Sequence, residues 1–288
     1  MPEIPDLEYI RDTLNWRLAG ARIVAVQVYQ PIVLRSMLRE EPARLLVGQK
    51  LQRCERHGPF LRLRFSAGLS LICHFMLSGR FELVEAARSQ RPRHPVPKSA
   101  CLALEFELQG TRLIYHDPKR MGKLYLVEDV RLAEVPRWSS VGLAPLSPAF
   151  TLTAFQSLVR GNRAQLKSFL VNDENLAGIG NAYADEILFE AGLHPKTLCS
   201  KLDAAAIKLW YESIGRVLDA ACREVRWRGE PIEVKVRDFL KVRNRAGEPC
   251  PRCGTTIRRA GVRGFDAFFC PKCQPVQGKT FIDWSKIK

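Results

Sequence analysis

Two cysteine pairs near the end of the chain constrain its fold most. Cys250-Pro-Arg-Cys253 and Cys270-Pro-Lys-Cys273 are separated by 16 residues, 254 to 269. Two C-x2-C pairs at this spacing suit a tetrahedral zinc ion held by four thiolates. Each pair would sit on a tight knuckle, and the segment between them is long enough for a hairpin. One structural Zn2+ is therefore expected on Cys250, Cys253, Cys270 and Cys273; a redox dithiol is the other chemistry these residues allow. Arg258, Arg259 and Arg263 on that hairpin would present positive charge to a phosphate backbone. The other five of the nine cysteines (Cys54, Cys73, Cys101, Cys199 and Cys222) are scattered. An odd count without a leader-like start argues against a disulfide framework, so these five are expected to be small buried hydrophobes.

The remaining chain has room for more than one domain. It has 288 residues, 46% of them hydrophobic, enough for real cores. Residues 6–19 place Leu7, Ile10, Leu14 and Leu18 on one helical stripe that ends at Gly20. The period then changes to two. Strands are expected at 22–29, 60–65, 70–75, 101–107, 112–116 and 124–127, with a turn at His57-Gly58-Pro59. Several short strands in one stretch suggest a β-sandwich. Residues 86–98 read as an exposed loop, and a linker rich in Pro and Ser spans about 136–149. Helices are expected at 151–160, 164–171, 181–191 and 203–227. In the last of these Ile207, Trp210, Ile214, Val217 and Ala221 share a face. The expected domains are 1–136, 137–235 and 236–288.

Charge points to a polyanionic partner. The net charge is +15, and Arg237 to Lys288 carries 12 Lys/Arg against 4 Asp/Glu, a net +8. Aromatics (Phe265, Phe268, Phe269, Phe281, Trp284) are interleaved with those bases. An anionic membrane surface is the alternative, but no long amphipathic basic helix supports it. No apolar run approaches the roughly 20 residues of a bilayer span. With acidic residues among the first fifteen and no leader pattern, a soluble, cytoplasmic, nucleoid-associated protein is expected.

Two further constellations carry chemistry. Trimming of Met1 would leave Pro2 as a free secondary amine, and an α-amino group has a pKa of about 8. A neutral amine can attack an electrophilic sugar carbon and hold it as an iminium, with Glu3 beside it as general acid or base. The bland reading is that Pro5, Asp6 and Glu8 simply suit a helix start. The second constellation is Leu176-Ala-Gly178-Ile-Gly180-Asn181, between two helical segments. It lacks the preceding strand and third glycine of a dinucleotide fingerprint. Its glycines allow a tight turn, Asn181 is a good N-cap, and the next helix start offers N–H groups to a phosphate that Lys167 could also reach. An ordinary core hairpin is the competing reading.

Taken in order, these pieces resemble the formamidopyrimidine-DNA glycosylase / endonuclease VIII family over nearly the whole chain. Pro2-Glu3-Ile4-Pro5 resembles its N-terminus. His74-Phe75-Met76-Leu77-Ser78-Gly79 and Asp117-Pro118-Lys119-Arg120-Met121-Gly122 resemble two of its loops. Lys167 through Glu186 resembles its helix-two-turn-helix motif, and Lys241 through Cys250 the entry to its zinc finger. The resemblance implies a multidomain α+β fold: an N-terminal β-sandwich with flanking helices, a helix-two-turn-helix domain and a C-terminal zinc-ribbon finger, with DNA in a cleft. It implies a monomer acting on double-stranded DNA that contains damaged bases or abasic sites. Pro2 would attack C1′ of a nucleotide flipped from the duplex and Glu3 would assist ring opening; a Schiff base and β-elimination follow. Lys167, Asn181, Tyr183, Arg120 and Arg263 would contact DNA, while Leu77, Lys119 and Met121 would fill the vacated stack.

Some positions depart from the family pattern. Pro59 stands where a lysine is usual, and Asp6 where a glutamate is. The wedge positions read Leu, Lys and Met instead of Met, Arg and Phe. Lysine cannot make arginine's planar bidentate contact. Phe265 occupies the usual place of the finger arginine, with Arg263 two residues earlier, a spacing that on a strand would face the same way. Only residues 229–238 separate the last long helix from the finger entry, where 8-oxoguanine readers carry a longer loop. The expected activity is a DNA glycosylase with AP lyase activity whose preference has moved away from 8-oxoguanine. The alternative is a non-catalytic or impaired damaged-DNA-binding protein on the same scaffold.

Overall fold

The structure, a computed structural model, describes residues 1–85, 98–108 and 110–276. The loop expected over 86–98 lies outside them except for Lys98, as do Phe281 and Trp284. The chain forms two compact units: Met1–Val141 with Ala221–Val236, and Gly142–Ala220 with the chain from Arg237 onward.

The first unit is a β-sandwich with a helix along it. Helix α1 (Ile4–Leu18) begins at a capping box: the Glu3 carboxylate accepts from the Asp6 backbone, and the Glu3 N–H donates to Asp6 Oδ2 at 2.8 Å. This cap starts the helix two residues earlier than the apolar stripe indicates. Leu7, Ile10, Leu14 and Leu18 are all buried, each contributing about 1.5–3 kcal/mol of hydrophobic stabilisation. One sheet contains β1 (Ile23–Val28), β6 (Arg80–Val84), β7 (Ala100–Phe106) and β8 (Arg112–His116), in the order β1-β7-β8-β6. The other contains β2 (Leu34–Ser36), β3 (Leu51–His57), β4 (Phe60–Phe65), β5 (Leu69–His74) and β9 (Lys123–Glu128), in the order β2-β9-β5-β4-β3. Among the described strands only β2 pairs in parallel, with β9. A short helix α2 (Pro42–Leu46) precedes β3.

Strand β4 shows why the alternation was readable. Leu61, Leu63 and Phe65 point into the shared core, while Arg62 and Arg64 stay outside, ion-paired with Glu55 and Asp129. Strand β3 escaped the sequence reading because its pairing with β4 shifts register between Leu51 and Arg53. Its two core residues, Leu51 and Cys54, therefore stand three apart, and the period of two is lost.

The second unit is helical, with a zinc-ribbon hairpin. It contains α3 (Leu152–Val159), α4 (Leu166–Leu170), α5 (Asn181–Glu190) and most of α6 (Ala204–Arg228). On α6 the buried face is Ile207, Trp210, Ile214, Leu218, Ala221 and Val225. Leu218 replaces the expected Val217 because at 3.6 residues per turn position 218 lies closer to Ile214's face. Strands β10 (Arg258–Val262) and β11 (Phe265–Phe269) pair antiparallel between the two cysteine pairs. Phe189 of α5 packs with Val242, Ile257, Phe268, Cys250 and Cys270 in the finger's own core.

The five scattered cysteines are buried. Among the described residues no helix is long and apolar enough to cross a membrane.

Candidate active site and nucleic-acid interface

In the first unit, the chain start and two loops converge. The terminal ammonium donates to the Leu77 carbonyl at 3.2 Å. Pro2 and Glu3 are buried immediately behind it. Glu3 is fixed by the capping box, and Asp6, one methylene shorter than the usual glutamate, still completes that box. Burial, and then the Lys235 ammonium, lower the Met1 amine from its ordinary value of 8.0 to about 6, against the opposing pull of Glu3 and Asp6. His74, at the end of β5, is buried and held down at about 4, mainly by burial and then by Arg137 and Lys123. Its Nδ1 accepts from the Met76 N–H at 3.2 Å, which leaves the proton on Nε2.

One carboxylate ties the two loops together. Asp117 accepts from Ser78 Oγ, from the Lys119 N–H at 3.2 Å and from the Gly122 N–H at 2.5 Å, and the Lys119 N–H also reaches Ser78 Oγ at 3.3 Å. Both loops lie against buried Tyr115. A Cβ at Gly79 would stand 2.2 Å from Tyr115 Oη, and one at Gly122 only 1.8 Å, so neither position has room for a side chain. Met76 (φ 49°) and Arg120 (φ 53°) take left-handed backbone at the two turns. The outcome is exposed apolar tips: Leu77 is 57% and Met121 41% exposed, beside exposed Lys119 and Arg120.

In the second unit, several expected contacts prove to be internal. Lys167 is fully buried; its Nζ donates to Asp185 Oδ1 and to the Asn181 carbonyl, both at 2.7 Å. It thus pins the start of α5, which differs from the direct phosphate contact expected from sequence. Burial pushes Asp185 up to about 6 against the pull of Lys167 and Arg243. Tyr183 is also fully buried, its ring under the Arg237 guanidinium at 5.1 Å, so it does not present a surface to DNA. Both departures share a cause: α5 packs all round, from Ala182 to Phe189. Asn181 is the first residue of α5, and Gly180 takes the cap position expected for it; the Asn181 Oδ1 atom is buried without a partner. Of the two glycines in the turn only Gly178 (φ 87°) needs left-handed backbone, and its N–H donates to Asp173 at 2.9 Å.

Arg263 does not lie on a strand. With Gly264 it forms the two-residue turn between Val262 and Phe265, both with positive φ (44° and 86°). A strand-period argument therefore cannot bring it into register with position 265. The turn instead carries exposed Arg263 to a cavity of about 450 Å³ lined by Asn162, Arg163, Ser168, Asn172 and Asn175. Arg163 and Asn172, which line this cavity, carry no sequence motif of their own.

The metal centre is compact. The Sγ atoms of Cys250, Cys253, Cys270 and Cys273 all lie within 4.8 Å of one another, and four thiolates at these separations fit one structural zinc ion. The knuckles are tied down by N–H groups donated to sulfur: Arg252 to Cys250 and Cys273 to Cys270, each at 3.4 Å. Three N–H groups, from Lys241, Val242 and Arg243, donate to the buried Glu186 carboxylate at 2.8–2.9 Å and fix the finger's entry to α5.

Comparison with known proteins agrees with this arrangement along the chain. Residues 1–124 match the Formamidopyrimidine-DNA glycosylase N-terminal domain, 141–227 the Formamidopyrimidine-DNA glycosylase H2TH domain, and 247–276 the zinc finger found in FPG and IleRS. A formamidopyrimidine-DNA glycosylase of Symbiobacterium thermophilum is 35% identical, covering 96% of this chain and 90% of the relative. One of Pelotomaculum thermopropionicum is 32% identical, covering 96% and 100%. The Lactococcus lactis Fpg solved with abasic-site DNA superimposes with a TM-score of 0.84 at 26% identity, over 95% of this chain and 100% of that one. The same L. lactis protein with an oxidised-pyrimidine DNA gives 0.84 at 27% identity, over 96% and 100%. With the sandwich, the glycine turn and the four-thiol finger in the same order, the chain belongs to the formamidopyrimidine-DNA glycosylase / endonuclease VIII family.

Proposed function

We propose that the chain excises damaged bases through Pro2 and then cleaves the strand. As a family member it is an enzyme of the DNA glycosylase / AP lyase class. With Met1 removed, the Pro2 nitrogen attacks C1′ of an everted nucleotide while the N-glycosidic bond breaks and the base leaves. Glu3 protonates the ring oxygen as the sugar opens, giving an iminium between Pro2 and C1′. Loss of a C2′ proton then expels the 3′-phosphate, which is β-elimination. The observation that carries this reading is that Pro2 and Glu3 lie buried side by side at the start of the chain, with the Glu3 carboxylate fixed by the capping box. Leu77 and Met121 are the apolar groups suited to fill the gap left by the flipped base, with Lys119 and Arg120 beside them. Asn181 and Arg263 are the proposed phosphate contacts of the second unit. The partner is double-stranded DNA carrying lesions or abasic sites.

The substrate preference is proposed to lie with ring-opened purines and oxidised pyrimidines. The segment after α6 is short and tied down: Tyr9 Oη donates to the Glu230 carbonyl at 2.8 Å, and Ile232 is buried in the sandwich core. It offers little chain for covering a lesion. L. lactis relatives have been solved with Fapy-dG and with oxidised-pyrimidine DNA.

Borohydride trapping tests the chemistry. Wild-type protein should form a covalent complex with abasic-site DNA. Pro2→Gly should weaken it, and an added N-terminal residue should abolish it. Tight binding without any trapping would instead favour the non-catalytic reading. A lesion panel with the same trapping reads the preference; fastest turnover on 8-oxoguanine would overturn it.

A further inference from the structure

We propose that the cavity beside the finger turn binds one backbone phosphate of DNA, held between Arg163 and Arg263; this rests on the reading of double-stranded DNA as the partner. The cavity, of about 450 Å³, lies within the second unit. Its walls come from the segment between α3 and α4, from α4 itself and from the turn after α4. Hydrogen bonds fix those walls. The Cys199 N–H donates to the Ala164 carbonyl at 2.9 Å, and the Leu166 N–H to the Thr197 carbonyl at 2.8 Å. Asn175 Nδ2 donates to the Phe169 carbonyl at 3.2 Å, which holds the turn against α4. Arg263 arrives from the β10–β11 turn on left-handed backbone (φ 44°), a conformation that residues other than glycine rarely adopt.

The lining atoms define the ligand. Arg163 and Arg263 supply two guanidinium forks, and neither forms an ion pair with a described residue. No acidic residue lines the cavity. Asp173 and Glu174 belong to the turn but not to the lining, and the Asp173 carboxylate accepts the Gly178 N–H at 2.9 Å. Ser168 Oγ is buried without a partner, so its hydroxyl is a donor left over by the fold. Asn162 and Asn172 spend their side-chain oxygens on the Ala164 and Glu174 N–H groups, at 2.8 and 3.1 Å. Their NH2 groups remain as further donors. Donors around a space without carboxylates suit an oxyanion, and two guanidinium forks suit one with several charged oxygens, a phosphate. Both arginines and Asn172 are exposed, and the chain carries a net +15, which favours the phosphate of a large polyanion over a free one. Asn181 is not among the walls, so a phosphate held here is additional to one at the start of α5.

The arginines are exposed and Ser168 Oγ has no hydrogen bond to lose, so substitutions here should leave the fold intact, as thermal melting would check. The test measures the affinity of the full-length protein for a duplex carrying an uncleavable abasic analogue, by fluorescence anisotropy across a salt series. Near physiological salt, Arg163→Gln and Arg263→Gln should each weaken binding roughly five- to tenfold. The double variant should lose less than the product of the two, because both hold one phosphate. Its log–log salt slope should fall by about 0.9, the share of one phosphate. Ser168→Ala should weaken binding about threefold and leave the slope unchanged. Arginine variants that bind the duplex like wild type overturn the inference, and so does a double variant whose slope falls by the share of two phosphates. Inorganic phosphate is the second probe, followed through the side-chain Nε–H signals of Arg163 and Arg263. Saturation by phosphate together with unchanged DNA affinity in the variants would assign the cavity to a free anion and sink the backbone reading. Borohydride trapping reads the catalytic proposal separately. A wild-type protein that never traps, with variants that lose affinity as stated, keeps this site and sinks the nucleophile. A protein that traps while its variants bind unchanged does the reverse.

Discussion

Lys167 and Asp185 are both fully buried and in contact, so each protects the fold only while the other is present. Removing one partner of a buried pair strands a charge and costs about 3–5 kcal/mol. Asp185→Asn should therefore lower stability by that order in urea titrations. Lys167→Met in the same background should restore part of it, because the fully buried charge is then gone and only Arg243, which is part-exposed and also donates to the Asp266 carbonyl, has lost its carboxylate. His74 makes a separate prediction about pH. Its folded value of about 4 lies below its ordinary 6.5, so between these pH values the unfolded chain takes up a proton that the folded one refuses. Its environment thus weakens the fold progressively as pH falls from 6.5 to 4, with no penalty above that window. Stability measured across it should slope less in His74→Gln than in wild type. Neither role was readable from the residue alone. The sequence aims Lys167 at a phosphate because the next helix start offers N–H groups to the same anion, whereas Asp185, 18 positions on, turns it inward.

Elements with a clean period were legible. The α1 stripe, the alternation of β4, all of β8 and the long face of α6 depend on spacing within one segment, and spacing is local information. Strand β3 was not legible because its bulge breaks the period, nor were β2 and α2, three and five residues long. The loops around Tyr115 are the case where motif and physics meet. Their glycines look like ordinary turn residues in sequence, but each is where it is because Tyr115 Oη occupies the space a side chain would need. Gly122→Ala should destabilise the first unit by about 1–3 kcal/mol, read by thermal melting, since overpacking forces a backbone shift. Tyr115→Phe removes the oxygen that a Cβ would strike, so adding it to Gly122→Ala should recover part of the loss. A strictly additive pair would show that the contact is not what excludes the side chain.

At the scale of the whole molecule the strongest levers are zinc and charge. Chelation should open the β10–β11 hairpin, because four thiolates without a metal lose what gathers them, and limited proteolysis should then cut between 247 and 276. A metal assay should find one zinc per chain; none would overturn the four-thiolate site. With a net charge of +15, affinity for DNA should fall steeply and linearly on a log–log plot against salt. A slope near zero would mean that few phosphates are neutralised. By itself the sequence determined the class of fold, the metal ligands and the amine chemistry open to Pro2, because these depend on residue type and on spacing along the chain. Tertiary structure alone decided which charges are buried. It turned Lys167 and Tyr183 inward and moved Arg263 onto a turn. Burial and encounter are set by what packs from elsewhere in the fold, and no local pattern contains that information.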